Sequence, residues 1–280
     1  LGIKLLFIIL GGTIGALFTG RKQFSRGVNL VAFWLLLPAI CFVEFSSVQL
    51  EEWYYFPAGS AFVLCLYWLG RIIGWDKHKS ALLATAEGGT LGFVLYVLIG
   101  SEPISKFFVI DMFGNGIMLF TFIYFQLSRR YDFKKFARNP LVIMMAIGFA
   151  LNLGGVHLKH FESVAWLEEV AVHCLLGLIA FVICAGMERT ISAQILISSE
   201  FRTFWLIRLT CFCASLAVGL PLALTILFLL PPSFLMPVIY TAAEDAHEKA
   251  YAINFIAVCL PVFAILASAF LLMQVFLRTQ

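Results

Sequence analysis

The chain has 280 residues, 62% of them hydrophobic and only 12% charged, with a mean hydropathy of +0.97. A water-soluble domain is about half apolar and about a quarter charged, and no soluble fold of this size hides so large an apolar surplus. Soluble enzymes, nucleic-acid binders and disordered linkers are excluded, and a membrane-embedded chain remains. Runs such as LLFIILGGTIGALF lack the polar–apolar alternation of barrel strands, so the spans are expected to be helices.

In chain order, apolar runs between charge clusters predict ten spans of about 20 residues each. They lie near 3–20, 27–43, 57–74, 80–100, 107–127, 139–155, 166–187, 202–220, 221–242 and 250–276. Because the chain starts at Leu1 already inside an apolar run, its initiator end is expected to have been trimmed or left out. Arg21, Lys22, Arg26, Arg71, Lys77, Lys79, Arg129, Arg130, Lys134, Lys135, Arg138, Arg189, Arg202, Arg208 and Lys249 all fall on one side of these spans. The other side has only Lys4, Lys106, Lys159 and Arg278. The positive-inside rule then predicts both termini on the non-cytoplasmic side of a plasma or bacterial inner membrane. All seven cysteines sit inside apolar runs without zinc-site spacing. No metal, cofactor, nucleic-acid partner or catalytic motif is expected.

Five spans precede the basic loop and five follow it, so the second set inserts in the opposite sense. The expected organisation is a first five-helix repeat at 1–127, a basic cytoplasmic loop at 128–138 and a second, inverted repeat at 139–280. The halves also rhyme: IGALFTG parallels IGFALNLGG, Gly88-Gly89 parallels Pro231-Pro232, and Asp111 parallels Asn254 at the same spacing beyond each break. Two prolines in mid-span remove two N–H donors and clash with the preceding turn. Interrupted helices at matching positions of two halves are the sequence pointer to a transporter's binding site. Each half-helix starting at mid-membrane leaves N–H groups without intrahelical partners, and such ends attract a carboxylate. Pro232 suits a first helical position.

The polar residues inside the spans are therefore the candidate site. Gly88, Gly89, Thr90, Pro231, Pro232, Ser233, Asn115 and Asn254 are the expected substrate contacts. Glu87 and Asp111 are the expected groups for proton or ion coupling, because intramembrane carboxylates are costly and functional by default. Arg208, six residues into its span, reads either as a counter-charge to an anionic substrate or as a side chain snorkelling to the headgroups.

EGGTLGFVLYVLIG followed by FFVIDMFGNGIMLFTFIY resembles the fourth and fifth spans of auxin efflux carrier-type permeases. NPLVIMMAIGFALNLGGVHL resembles their sixth span, and FWLLLPAICF their second. The resemblance implies two inverted five-helix repeats, related in fold to the bile acid:sodium symporters and NhaA-type antiporters, with spans 4 and 9 broken and crossing. It implies a scaffold of spans 1, 2, 6 and 7, often a homodimer, and a transport domain of spans 3–5 and 8–10. Phe93 and Val94 stand where family members usually have a proline, and SFLMPVIY lacks their usual asparagine. The expected function is a secondary transporter or uniporter that carries a small organic anion by elevator-type alternating access among membrane lipids. A sodium-coupled symporter of the same fold and a non-transporting sensor of a lipid or metabolite are the alternatives.

Overall fold

The structure, a computed structural model, describes residues 2–17, 27–28, 31–100, 102–128, 138, 140–186, 193–242 and 246–279. Among them there are helices and turns and no strand. The helices are α1 (Gly2–Leu17), α2 (Leu37–Phe45), α3 (Phe56–Ile72), α4 (Lys77–Ala84), α5 (Phe93–Ile99) and α6 (Ile104–Leu127). They continue with α7 (Pro140–Leu153), α8 (Glu162–Gly186), α9 (Ala193–Leu196), α10 (Ser199–Val218), α11 (Leu222–Leu227), α12 (Met236–Ala242) and α13 (Ala246–Thr279). Widened π-type turns precede α2 at Val31–Leu36, precede α5 at Gly88–Gly92, and recur inside α6 at Val109–Gly116 and Leu119–Ile123.

Five stretches are long and apolar enough to cross a bilayer: Lys77–Ile99, Ile104–Leu127, Glu162–Phe181, Ser199–Val218 and Ala246–Phe276. The first of them is interrupted at Thr85–Glu87. Such helices belong to a membrane protein. Arg21, Lys22, Arg26, Arg129, Arg130, Lys134, Lys135 and Arg189 of the expected cytoplasmic loops lie outside the described residues.

Local chemistry sets the helix ends. Asp76 caps α4, its carboxylate accepting the N–H groups of His78 and Lys79 at 2.8 and 2.9 Å. Ser198 caps α10 by accepting the Phe201 N–H at 3.2 Å. Gly219, at φ +73°, closes α10 in the left-handed conformation that favours glycine, and Pro221 then opens α11.

By its internal contacts the chain divides into two units. Unit 1 comprises 1–52 and 132–189, and unit 2 comprises 53–131 and 190–280. In unit 1, α1 packs along α8 so closely that a Cβ on Gly11 would run into the Gly177 carbonyl, and one on Gly15 into the Phe181 backbone. α2 and α7 meet in the same manner at Gly148, against the Phe42 carbonyl and Phe45. Small residues that let backbones approach are the main means of packing helices in lipid. One end of unit 1 is polar: Asn152 donates to the Val48 carbonyl at 2.7 Å, and Lys159 pairs with Glu44 at 2.7 Å and Glu168 at 3.6 Å. Burial works against the Lys159 charge, but the two carboxylates outweigh it and hold its pKa above the ordinary lysine value.

In unit 2, α3 lies on α6 with Gly59 against the Ile110 carbonyl and Gly114. Its core is rich in aromatic pairs, among them Phe204 with Phe255 and Phe93 with Phe108. Introducing a large side chain into the unit 1 seam, as in Gly11→Leu, is expected to cost roughly 1–3 kcal/mol. Thermal unfolding in detergent checks this, with Gly2→Ala, which meets open space, leaving the midpoint unchanged.

Candidate functional site

Two helices of unit 2 stop short and resume. α4 ends at Ala84 and helical turns begin again at Gly88, leaving Thr85–Glu87 non-helical. α11 ends at Leu227 and α12 begins only at Met236. The two interruptions meet. The Glu87 N–H donates to the Pro231 carbonyl at 3.0 Å, and the Ser233 N–H donates to Thr85 Oγ1 at 3.4 Å. The first joins two backbone groups and the second a backbone N–H to a side-chain hydroxyl, and each satisfies a backbone N–H that lies outside regular helix.

The Glu87 side chain lies at this meeting point and is 7% exposed. Its Oε2 accepts the Phe234 N–H at 2.6 Å and the Ser233 hydroxyl at 3.3 Å. Its Oε1 accepts the Thr90 hydroxyl at 2.7 Å. A carboxylate thus occupies the anion position that sequence reasoning left for a ligand, and it is the chain's own. Asp111, 3% exposed, lies against Gly88, where a Cβ would overlap its carboxylate. Gly88 is therefore required by the approach of Asp111. Asn115 donates from Nδ2 to Asp111 Oδ1 at 2.9 Å and to the Ala86 carbonyl at 3.2 Å, tying α6 to the first break. Its Oδ1 is buried without a hydrogen-bond partner. Among the described residues neither Glu87 nor Asp111 is paired with a cation, and no group of three or more His, Cys, Asp or Glu could hold a metal ion.

Arg208 of α10 is fully buried and reaches the other ends of the broken helices. Its Nη1 donates to the Leu227 carbonyl at 2.7 Å, at the end of α11, and its Nη2 donates to the Thr85 carbonyl, just past α4. The guanidinium lies 5.0 Å from the Phe62 ring and 5.2 Å from the Phe204 ring. Of the two readings of Arg208, snorkelling is incorrect, because carbonyls at the ends of two helices lie within its reach and bind it more directly than distant headgroups would. No carboxylate among the described residues pairs with it.

Most of the expected site residues come together: Glu87, Gly88, Thr90, Asp111, Asn115, Pro231 and Ser233 all belong to the junction. Gly89 lies beside it against Met112, and Pro232 is buried in the second break. Two expectations need correction. Pro232 does not open a helix, since the helical turns of α12 begin four residues later, at Met236. Asn254 is exposed on α13 and makes no hydrogen bond among the described residues, so its parallel with Asp111 does not extend to the site. Sequence reasoning overlooked Thr85 and the Phe234 N–H. A hydroxyl before AEGG was the only signal for the first, and there was none for the second.

No family profile matches the chain, and no characterised protein matches its sequence.

Arg208→Ala takes the guanidinium donors from the buried Thr85 and Leu227 carbonyls, leaving Leu227 only the long 3.4 Å bond from the Leu230 N–H, and is expected to destabilise unit 2 by roughly 1–3 kcal/mol. Arg208→Lys supplies a point donor in place of a planar fork and recovers less than half of that. Thermal unfolding midpoints of the purified variants check both.

Proposed function

We propose that the chain is a secondary transporter moving a small organic anion, a carboxylate or auxin-like acid, with its substrate site at the two helix breaks. The observation that carries this reading is the convergence of the breaks around a buried Glu87 that pairs with no cation among the described residues. Broken helices that meet inside a span present backbone donors to a solute. A buried carboxylate without a counter-ion marks an ion or proton pathway in a membrane.

The donor set suggests how anion and proton are linked. Ionised Glu87 takes the Phe234 N–H and the Ser233 and Thr90 hydroxyls. A substrate carboxylate that uses these donors has to displace Glu87 or find it protonated. Anion binding and protonation of Glu87 then favour each other by linkage, and the two travel together. Arg208 is committed to backbone carbonyls and serves the architecture, not the substrate.

Ten spans in two inverted halves, with spans 4 and 9 crossing and both termini non-cytoplasmic, belong to the same proposal. Helices within each of the ten apolar runs support it. So does the grouping of runs 1, 2, 6 and 7 in unit 1 and of runs 3–5 and 8–10 in unit 2. Unit 2 would be the moving carrier. The resemblance to auxin efflux carrier-type permeases points the same way. A second reading, sodium coupling, is favoured by the unpartnered Asn115 Oδ1 beside Asp111, since hard cations take oxygen ligands.

Proteoliposome uptake of mono- and dicarboxylates and indole acids, under imposed pH, sodium and voltage gradients, tests these readings. An inward proton gradient is expected to drive accumulation of at least one anion. Glu87→Gln is expected to abolish that accumulation while leaving downhill exchange. Sodium-driven uptake lost in Asn115→Ala would instead establish the second reading. Binding without gradient-dependent flux for any anion would leave a sensor and defeat both.

A further inference from the structure

Away from the helix breaks, unit 2 has a cavity of about 410 Å³ between the end of α3 and the end of α6, lined by Tyr67, Trp68, Arg71, Lys77, Phe125 and Gln126. Its two cations are not paired with a carboxylate among the described residues. Arg71 donates from Nη1 to the Trp75 carbonyl at 2.8 Å, and Lys77 reaches the Leu127 carbonyl at 3.4 Å, so each keeps further donors. The neighbouring Lys79 is different: it is held by Glu200 at 2.9 Å. Asp76, the nearest acid in sequence, has one oxygen engaged in capping α4.

Apart from Gln126, whose amide oxygen accepts the Tyr67 hydroxyl at 3.5 Å, the rest of the cavity is aromatic and opens onto an apolar surface. Trp68 is 54% exposed, Phe125 44% and Ile72 80%. Arg71 ends an apolar helix and Lys77 begins the next apolar stretch. That is the depth at which a span gives way to the headgroup layer. Basic pockets between spans at this depth suit phosphate-bearing headgroups, and a guanidinium can grip two phosphate oxygens at once.

We infer that this cavity binds the headgroup of an anionic phospholipid: Arg71 and Lys77 hold the phosphodiester, and Trp68 and Phe125 flank the start of the acyl chains. The site is independent of the transport reading, since a chain that moves no anion would still bind the lipid.

The test is titration of the purified full chain with phosphatidylglycerol and with phosphatidylcholine, followed by native mass spectrometry of the retained lipid. Phosphatidylglycerol is expected to bind preferentially, with its affinity falling about 30-fold in Arg71→Gln/Lys77→Gln. A control carrying Arg202→Gln/Lys249→Gln, which removes two other basic side chains of unit 2, is expected to keep it. Trp68→Glu leaves both cations in place and is expected to weaken binding too, so the inference stays testable if the double variant unfolds. Equal retention of the two lipids, equal loss in both double variants, or retention unchanged in Trp68→Glu would overturn the inference. Displacement of the lipid by inorganic phosphate alone would overturn it in favour of a soluble-anion site.

Discussion

A helix that stops inside an apolar layer frees N–H groups at one end and carbonyls at the other, with no water at hand to satisfy them. Unit 2 contains two helix interruptions within apolar runs, and buried polar side chains are arranged around them. Arg208 covers the carbonyl ends of α11 and α4, while Glu87 collects the Phe234 N–H and Ser233 hydroxyl of the second break and the Thr90 hydroxyl just past the first. The signs are those the helix dipole favours, a cation at carbonyl ends and an anion at an amide end. Each charge is thus compensated by backbone and hydroxyl dipoles and not by the other.

That separation matters for the chemistry. Had Glu87 and Arg208 formed an ion pair, a change of charge on either would have left its partner buried and alone, at considerable cost. Here the groups facing Glu87 are neutral donors, which can turn to another acceptor. Asp111 lies against the same strip of backbone and, among the described residues, accepts a side-chain hydrogen bond from Asn115. The junction therefore combines a part held by the Arg208 guanidinium with a part held by neutral donors to Glu87.

The interruptions were legible because proline cannot donate a helical hydrogen bond and a mid-span carboxylate is rare. Their placement was less so. Gly88-Gly89 suggested the break itself, yet the chain leaves the helix at Thr85 and has resumed at Gly88, whose lack of a side chain serves the approach of Asp111. The Asp111–Asn254 parallel assumed that equal spacing places residues on equal faces. The widened turns of α6 alter that register, whereas α13 runs as one helix from Ala246 to Thr279. The role of Arg208 was not legible because charge patterns reveal headgroups and loops but not the helix-end carbonyls of another segment.

The two units use polarity in opposite places. Unit 1 joins its helices through glycine–backbone contacts and gathers its buried ions at one end, where Lys159 links Glu44 to Glu168. Such close packing has few alternative arrangements, because backbone atoms cannot move aside individually. Unit 2 packs α3 on α6 through Gly59 in the same way, but it also places polar residues at interruptions inside apolar runs, where hydrogen bonds join the segments. Hydrogen bonds exchange partners at little net cost when a new acceptor of the same kind arrives. An acceptor of the same kind as the Glu87 carboxylate is another carboxylate. Under the proposed function, the donors that hold Glu87 are the ones a substrate carboxylate would take.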